Sequence, residues 1–192
     1  MSTNTIRVIK FIALLLGGFI AFIFAAAFIV DNEFETERSI IIDKPVDVVF
    51  EHIRYLRNQN NYSVWVQRDP DLRIEYRGTD GEVGAVSAWE GNEEAGAGEQ
   101  EIVAISEGER IDFELRFFEP FESSSNAFKT TEAVSENQTR VTWGMYGTMP
   151  RPLNLMLLFM NLEEAIGNDY EIGLQNLKMI LEESSSAEAD GN

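Results

Sequence analysis

The chain has 192 residues, of which 44% are hydrophobic, and its formal net charge is −18. This length suits one domain with an accessory segment, and the apolar content is too high for a disordered chain. The negative charge repels phosphate backbones, so we expect no nucleic-acid partner. The absence of cysteine excludes disulfides, thiolate catalysis and cysteine-ligated zinc or iron–sulfur sites.

An unbroken apolar run, Phe11–Val30, lies near the N-terminus. As a helix it would be about 30 Å long, which matches the hydrocarbon thickness of a bilayer. The alternative is a secretory signal peptide cleaved near Ala25–Ala27. The run is longer than a typical signal-peptide core and continues past those alanines, which favours an uncleaved anchor. We therefore assign residues 1–33 to a transmembrane anchor that contacts the membrane through residues 11–30.

The charges that flank this run predict its orientation. Arg7 and Lys10 precede it, whereas Asp31 and Glu33 follow it. The positive-inside rule then places the N-terminus in the cytoplasm and the following domain on the outer side of the membrane.

Strand signals dominate the next hundred residues. Alternating residues predict a strand at Phe34–Ile42, and Pro45 suits the first turn of a short helix after it. Further strands at short spacing, separated by turn residues, predict an antiparallel sheet. They lie at Leu72–Arg77, Val83–Glu90, Glu99–Ser106, Arg110–Phe118, Ser124–Val134 and Thr139–Thr148. Gly96-Ala97-Gly98 is interpreted as part of a hairpin loop, because its acidic neighbours and the strand after it do not suit phosphate binding.

The last long element is a helix predicted over Asn161–Glu183. Its apolar residues recur at the spacing of one buried stripe, namely Leu162, Ile166, Tyr170, Leu174, Leu177 and Leu181. Gly173 interrupts that stripe, which predicts that the sheet or a ligand approaches the helix backbone closely there. The polar residues 184–192 predict a disordered tail.

The order of these elements and several segments resemble the START/Bet v 1-like (SRPBCC) superfamily, specifically the bacterial polyketide cyclase/dehydrase and lipid-transport proteins. The resemblance extends over residues 34–183. The matching segments are RSIIIDKPVDVVF, GEVGAVSAWEGN, GAGEQEIV, FEPFESSSNAF, TRVTWGMYG and IGNDYEIGLQNLKMILE.

This resemblance implies an α+β helix-grip fold, in which a curved seven-stranded antiparallel sheet wraps around the C-terminal helix. It also implies an apolar cavity between sheet and helix, and residues 34–183 as a ligand-binding domain. We expect that domain to bind a hydrophobic small molecule or lipid. If the protein is a carrier, the same domain would also transport that ligand. The alternative is a cyclase/dehydratase-like enzyme acting on an aromatic or polyketide substrate in the same cavity. With the anchor, the resemblance implies a single-pass protein of the bacterial inner membrane.

Large aromatic residues and one glycine are the candidate ligand-binding set. They are Trp65, Trp89, Phe113, Phe117, Phe128, Trp143, Tyr146, Tyr170 and Gly173. Each aromatic residue could instead simply fill the core. As a group they suit a sterol-like, polycyclic or acyl ligand.

Catalytic motifs are sparse. His52 is the single histidine, and no serine lies in a nucleophile elbow. We therefore expect no metal, no cofactor and no catalytic residue, and we interpret His52 as a packing or surface residue. Tyr146, Arg116 and Glu114 are the acid/base candidates that the enzyme alternative would use.

Overall fold

The computed structural model describes residues 3–93, 95–120, 122–159 and 161–189. The helices are α1 (Thr3–Ile29), α2 (Val46–Ile53), α3 (Leu56–Gln59), α4 (Val64–Arg68) and α5 (Leu162–Ala189), with a 3₁₀ helix at Leu153–Leu158. The strands are β1 (Glu33–Ile42), β2 (Arg73–Arg77), β3 (Val86–Glu90), β4 (Ala97–Ser106), β5 (Arg110–Glu119), β6 (Ser123–Ser135) and β7 (Gln138–Thr148).

All seven strands form one antiparallel sheet in the order β1-β7-β6-β5-β4-β3-β2. Consecutive strands from β2 to β7 are neighbours, because short hairpin connections join them. The predicted α+β fold, with a seven-stranded sheet and a long C-terminal helix, is confirmed.

Strand alternation determines which face of the sheet is buried. In β5, Ile111 and Phe113 are buried, and Phe113 pairs with Ala127 of β6. We call this the inner face. Four residues of the predicted stripe of α5 are buried with it, namely Tyr170, Leu174, Leu177 and Leu181, whereas Leu162 and Ile166 are half-buried. A one-sided sheet and a one-sided helix remove their apolar surfaces from water in this way.

The chain divides into two compact units, an N-terminal unit of Met1–Phe34 with Thr148–Leu162 and a sheet unit of Glu35–Gly147 with Glu163–Asn192. Within the N-terminal unit, the side-chain amide of Asn154 donates to the carbonyls of Ala27 and Val30 at 2.9 and 3.0 Å. Arg151 Nε donates to the Ala27 carbonyl at 2.8 Å. These bonds satisfy carbonyls that the end of an α-helix leaves unpaired, and they hold the 3₁₀ helix against the C-terminal end of α1.

Among the described residues, α1 is the one helix long and apolar enough to cross a membrane. The same test is passed by a signal sequence, so both interpretations of the apolar run are compatible with it.

Three boundaries differ from the predicted ones by two residues or more. The backbone of α5 is helical through Ala189, so only residues 190–192 of the predicted disordered tail remain, and they lie outside the described residues. β3 begins at Val86, later than predicted. β4 begins at Ala97, so the expectation that Ala97 and Gly98 belong to a hairpin loop is wrong. Gly98 pairs with Trp89 of β3 and with Phe117 of β5.

Candidate ligand-binding cavity

A cavity of about 360 Å³ lies within the sheet unit. Its wall combines residues from α3, α4, α5 and six strands, β2 to β7. The aromatic lining residues are Trp65, Trp89, Phe117, Trp143 and Tyr170. The aliphatic ones are Val66, Leu72, Ile74, Leu115, Ala127, Met145 and Ile166, and the polar ones include Gln59, Asn60, Ser63, Ser87 and Gln100. The wall is therefore mainly apolar with a polar region, as small-molecule sites usually are.

The cavity has an acidic, exposed edge. Glu93, Glu119 and Pro120 line it and are all solvent-exposed. By contrast, Gln100 and Trp143 in the same wall are buried. A ligand would therefore enter past the carboxylates and place its far end against buried side chains.

Aromatic contacts shape the wall at α5. Trp143 stacks on Tyr170 with ring centroids 4.6 Å apart, and Trp65 meets both rings edge-on at 6.0 and 5.6 Å. Gly173 leaves room for the Trp143 ring next to α5, because a Cβ there would lie 3.0 Å from that ring and 3.4 Å from the Tyr62 carbonyl oxygen. The close approach predicted at Gly173 is thus made by a side chain of the sheet. Gly173 packs against the Trp143 ring and is not among the residues that line the cavity.

The Trp89–Phe117 pair depends on another glycine. The two rings meet edge-on at 5.9 Å across Gly98, which lies between them on β4. A Cβ on Gly98 would lie 2.6 Å from the Trp89 ring and 2.5 Å from the Arg116 carbonyl oxygen. Only a residue without a side chain leaves room for both aromatic rings here.

Two predicted site residues lie on the opposite face of the sheet. Phe128 follows Ala127 on β6, and neighbouring residues of a strand point to opposite faces. Its ring covers Gly144 of β7, contacts Tyr146 at 6.4 Å between centroids and lies under the Arg110 guanidinium at 4.3 Å. Phe128 and Tyr146 therefore form an outer-face cluster away from the cavity, and Phe113 is buried next to the wall without lining it.

The acid/base candidates of the enzyme alternative also lie on the outer face. Arg116 donates to Glu99 at 2.7 Å and to Glu101 at 2.5 Å, and it also pairs with Glu114. These carboxylates raise the pKa of Arg116, and Arg116 in turn lowers the pKa of Glu99. Such a network of charge-assisted hydrogen bonds stabilises neighbouring strands.

A buried lysine lies behind the polar region of the wall. Lys129 of β6 is 2% exposed, and its ammonium donates to Gln59 Oε1 at 2.6 Å and to Tyr62 Oη at 2.8 Å. Gln59 Nε2 donates to Gln100 Oε1 at 3.1 Å. Sequence reasoning missed Lys129, Gln59 and Gln100. The available signal was strand periodicity, since Lys129 shares the parity of Ala127 and Thr131, and both of these are buried.

His52 is close to this lysine but does not line the cavity. It lies on α2, half-buried, with its ring tilted at 6.3 Å from that of Tyr62. Its Nε2 is buried and has no hydrogen-bond partner among the described residues. In the part of the chain that the structure describes, no group of three or more acidic or histidine side chains is arranged to hold a metal ion.

Solved structures with similar folds share little sequence with this chain. A protein of Nitrosospira multiformis is 20% identical with a TM-score of 0.53, over 76% of this chain and 94% of that one. Ara h 8.0201 is 14% identical with a TM-score of 0.51, over 78% and 97% of the two chains. The Aha1 protein of Colwellia psychrerythraea, determined as a dimer, is 12% identical with a TM-score of 0.52, over 77% and 96%.

These comparisons establish the fold and nothing finer. No protein-family model matches the chain, and no curated protein sequence matches it. The structural likeness identifies a Bet v 1-like helix-grip fold. A shared scaffold does not imply a shared reaction, so function has to be argued from the cavity.

Proposed function

We propose that this protein binds a hydrophobic small molecule or a single lipid chain in the cavity of its sheet unit. The observation that carries the proposal is the cavity itself, whose wall joins three tryptophans, Trp65, Trp89 and Trp143, with Phe117 and Tyr170. These residues are far apart in sequence. A core that has only a packing role is close-packed, so large aromatic side chains around unfilled space indicate a binding role. The resemblance to the polyketide cyclase/dehydrase and lipid-transport proteins supports the same function.

The size of the cavity limits the ligand. A volume of about 360 Å³ is near the lower end of the roughly 300–1,000 Å³ typical of ligand pockets. A single acyl chain or a small ring system fits that volume better than a lipid with two long chains. Burial of each CH₂ contributes about 0.8 kcal/mol, so a medium-length chain reaches micromolar affinity with few polar contacts.

A cyclase/dehydratase-like enzyme in the same cavity is the alternative, and it ranks second. The ionisable side chains of the described wall are Glu93, Glu119 and Tyr170. The two carboxylates are at the exposed edge, and burial raises the pKa of Tyr170. This arrangement does not favour proton transfer at neutral pH, because an effective acid or base has a pKa near the operating pH.

We also propose that α1 anchors the protein in the bacterial inner membrane, with the sheet unit on the outer side. The exposed apolar surface of α1 and the basic residues Arg7 and Lys10 before it support this placement. Exposed apolar side chains at the end of the 3₁₀ helix also support the proposal, including Leu158 and the following Phe159, which is 88% exposed. A membrane surface at the C-terminal end of α1 would cover them.

The binding proposal is tested with straight-chain alcohols, whose neutral head leaves the chain as the main variable. All three tryptophans of the protein line the cavity, so intrinsic fluorescence reports on it directly. With the full chain in a non-ionic amphipol, we expect saturable quenching by 1-hexanol to 1-dodecanol. The affinity should rise about fourfold per CH₂ and then level off when the cavity is full. Fluorescence that changes only linearly with every alcohol, as simple partitioning would produce, contradicts the proposal.

The membrane proposal is tested at Phe159. The chain has no cysteine, so Phe159→Cys carries a single environment-sensitive fluorophore, and Glu136→Cys in the turn after β6 provides an exposed polar control. In liposomes we expect lipid-attached nitroxides to quench the label at 159 at least several-fold more than the control label. Aqueous iodide should quench the two labels in the opposite order. Equal accessibility to both quenchers at the two positions would disprove membrane contact at the 3₁₀ helix.

A further inference from the structure

Lys129 is a buried lysine that lies behind the cavity wall and does not line the cavity. Its ammonium lies 4.8 Å from the centroid of the Trp143 ring and 5.2 Å from those of Tyr62 and Phe113. Among the described residues, it forms no ion pair with a carboxylate, although 33 acidic residues occur in the chain. Buried charges are normally paired, so an anion held near this lysine would stabilise its charged form.

Among the described residues, the groups that face Lys129 come from α2, the segment after α3, β5 and β7. Burial lowers its pKa to about 7. From α2 it faces His52, whose pKa is lowered by burial and by the charge of Lys129. From the segment after α3 it faces Tyr62, whose pKa burial raises. The residues that face it from β5 and β7, Phe113 and Trp143, do not titrate, so the site has positive and neutral groups but no anion.

Hydrogen-bond direction carries this positive character to the cavity. An ammonium has only donors, so Gln59 must turn its carbonyl oxygen toward Lys129 and its NH₂ group away. That NH₂ donates to Gln100, and Gln100 Nε2 returns a long bond of 3.4 Å to Gln59 Oε1. Each amide has a second N–H, and both glutamines line the cavity. These second N–H groups are the donors that Gln59 and Gln100 can offer to a ligand, and Lys129 acts through Gln59 as a positioning residue.

We propose that this region recognises the carboxylate headgroup of an apolar ligand, with Gln59 and Gln100 donating to it and Lys129 supplying its counter-charge. The inference rests on the proposed function and names the ligand class, a monocarboxylic acid with an apolar body. The exposed edge of the cavity indicates that the headgroup of the ligand points inward, because Glu93 and Glu119 would repel a carboxylate at that edge. The acidic head would lie against the half-buried Gln59 and the buried Gln100, and the apolar body along Trp89 and Phe117.

The test compares three ten-carbon probes that differ only in their head. Decanoic acid, 1-decanol and decylamine are titrated by tryptophan fluorescence into the full chain in non-ionic amphipol at pH 6.5, with wild type, Lys129→Met and the control Lys178→Met. Lys178 is a partly exposed lysine of α5 that pairs with Glu182. We expect wild type and Lys178→Met to bind decanoate at least tenfold more tightly than decanol and to bind decylamine most weakly. Lys129→Met should bring the affinities for decanoate and decanol within about twofold of each other.

The possible outcomes separate this inference from the function on which it rests. If decanol binds but wild type has no preference for decanoate, or Lys129→Met retains that preference, the headgroup site is disproved and apolar binding stands. If none of the three probes binds, the proposed function itself fails. Should Lys129→Met not fold, Gln100→Leu removes a donor while keeping the lysine. That variant should lower the decanoate preference at least threefold, and an unchanged preference would overturn the proposal.

Discussion

Ala127→Phe is expected to weaken the binding of 1-decanol at least about tenfold. Ala127 lies on the inner face of β6 and lines the cavity, so a phenyl ring there projects into space that the ligand would fill. Excluding only two methylenes removes about 1.6 kcal/mol of burial, which is already more than tenfold in affinity. The measurement is the same fluorescence titration, with the midpoint of thermal unfolding followed in parallel.

Ala133→Phe provides the matched control, because Ala133 is on the same strand but exposed. It should leave the affinity within about twofold of wild type. Ala127→Leu fills less volume and should give an intermediate loss, which also covers the case in which the phenyl ring overpacks the core. If decanol bound Ala127→Phe as tightly as wild type, and the variant remained folded, the ligand site would have to lie elsewhere.

Lys129→Met is expected to raise thermal stability at pH 6 and to lose that advantage as the pH rises toward 10. The folded-state pKa of Lys129 is about 7, below the ordinary lysine value of 10.5. Between these values the unfolded chain holds one proton more than the folded chain, so the stability of wild type rises with pH. The slope is at most about 1.4 kcal/mol per pH unit, and below pH 7 the whole penalty of burying the charge is present.

The difference between wild type and Lys129→Met isolates this effect from every other titrating group. Toward pH 10 the neutral amine still donates to Gln59 and Tyr62 in wild type, whereas methionine cannot, so the order of stability should reverse. Tryptophan fluorescence during heating at pH 6, 7.5 and 9.5 measures the unfolding midpoint of each protein. Lys178→Met controls for the loss of a positive charge. A difference in unfolding midpoint that stays constant across this pH range would mean that Lys129 is not a buried, desolvated lysine.

Strand periodicity predicted most of the sheet, since the observed strands lie within a few residues of the predicted ones. The prediction works best in β5, where Ile111, Phe113 and Leu115 alternate with charged residues and only one face can be buried. The stripe of α5 was equally clear, because only a helix places Tyr170, Leu174, Leu177 and Leu181 on one side. These features depend on local spacing, which the sequence contains.

The cavity wall was predicted in part. Five of the predicted residues line it, namely Trp65, Trp89, Phe117, Trp143 and Tyr170. The signal in the sequence was the large aromatic side chain that these residues share. The glutamines gave none, because Gln59 is in a four-residue helix and Gln100 is one of many polar residues in its strand. Their role depends on their distance from one another and from Lys129, and no spacing along the chain encodes that distance.

By itself the sequence determined an apolar N-terminal helix, the succession of strands, the amphipathic C-terminal helix and hence the α+β fold. Only the tertiary structure decided which side of β6 faces the cavity. Near the middle of that strand Phe128 and Lys129 lie on opposite sides, and hydrophobicity alone would turn the phenylalanine toward the inner face. Gly144 on the neighbouring strand leaves a recess that the Phe128 ring fills on the outer face. The lysine is thereby placed on the inner face, behind the cavity wall, because a one-residue change of register would reverse every side chain of the strand.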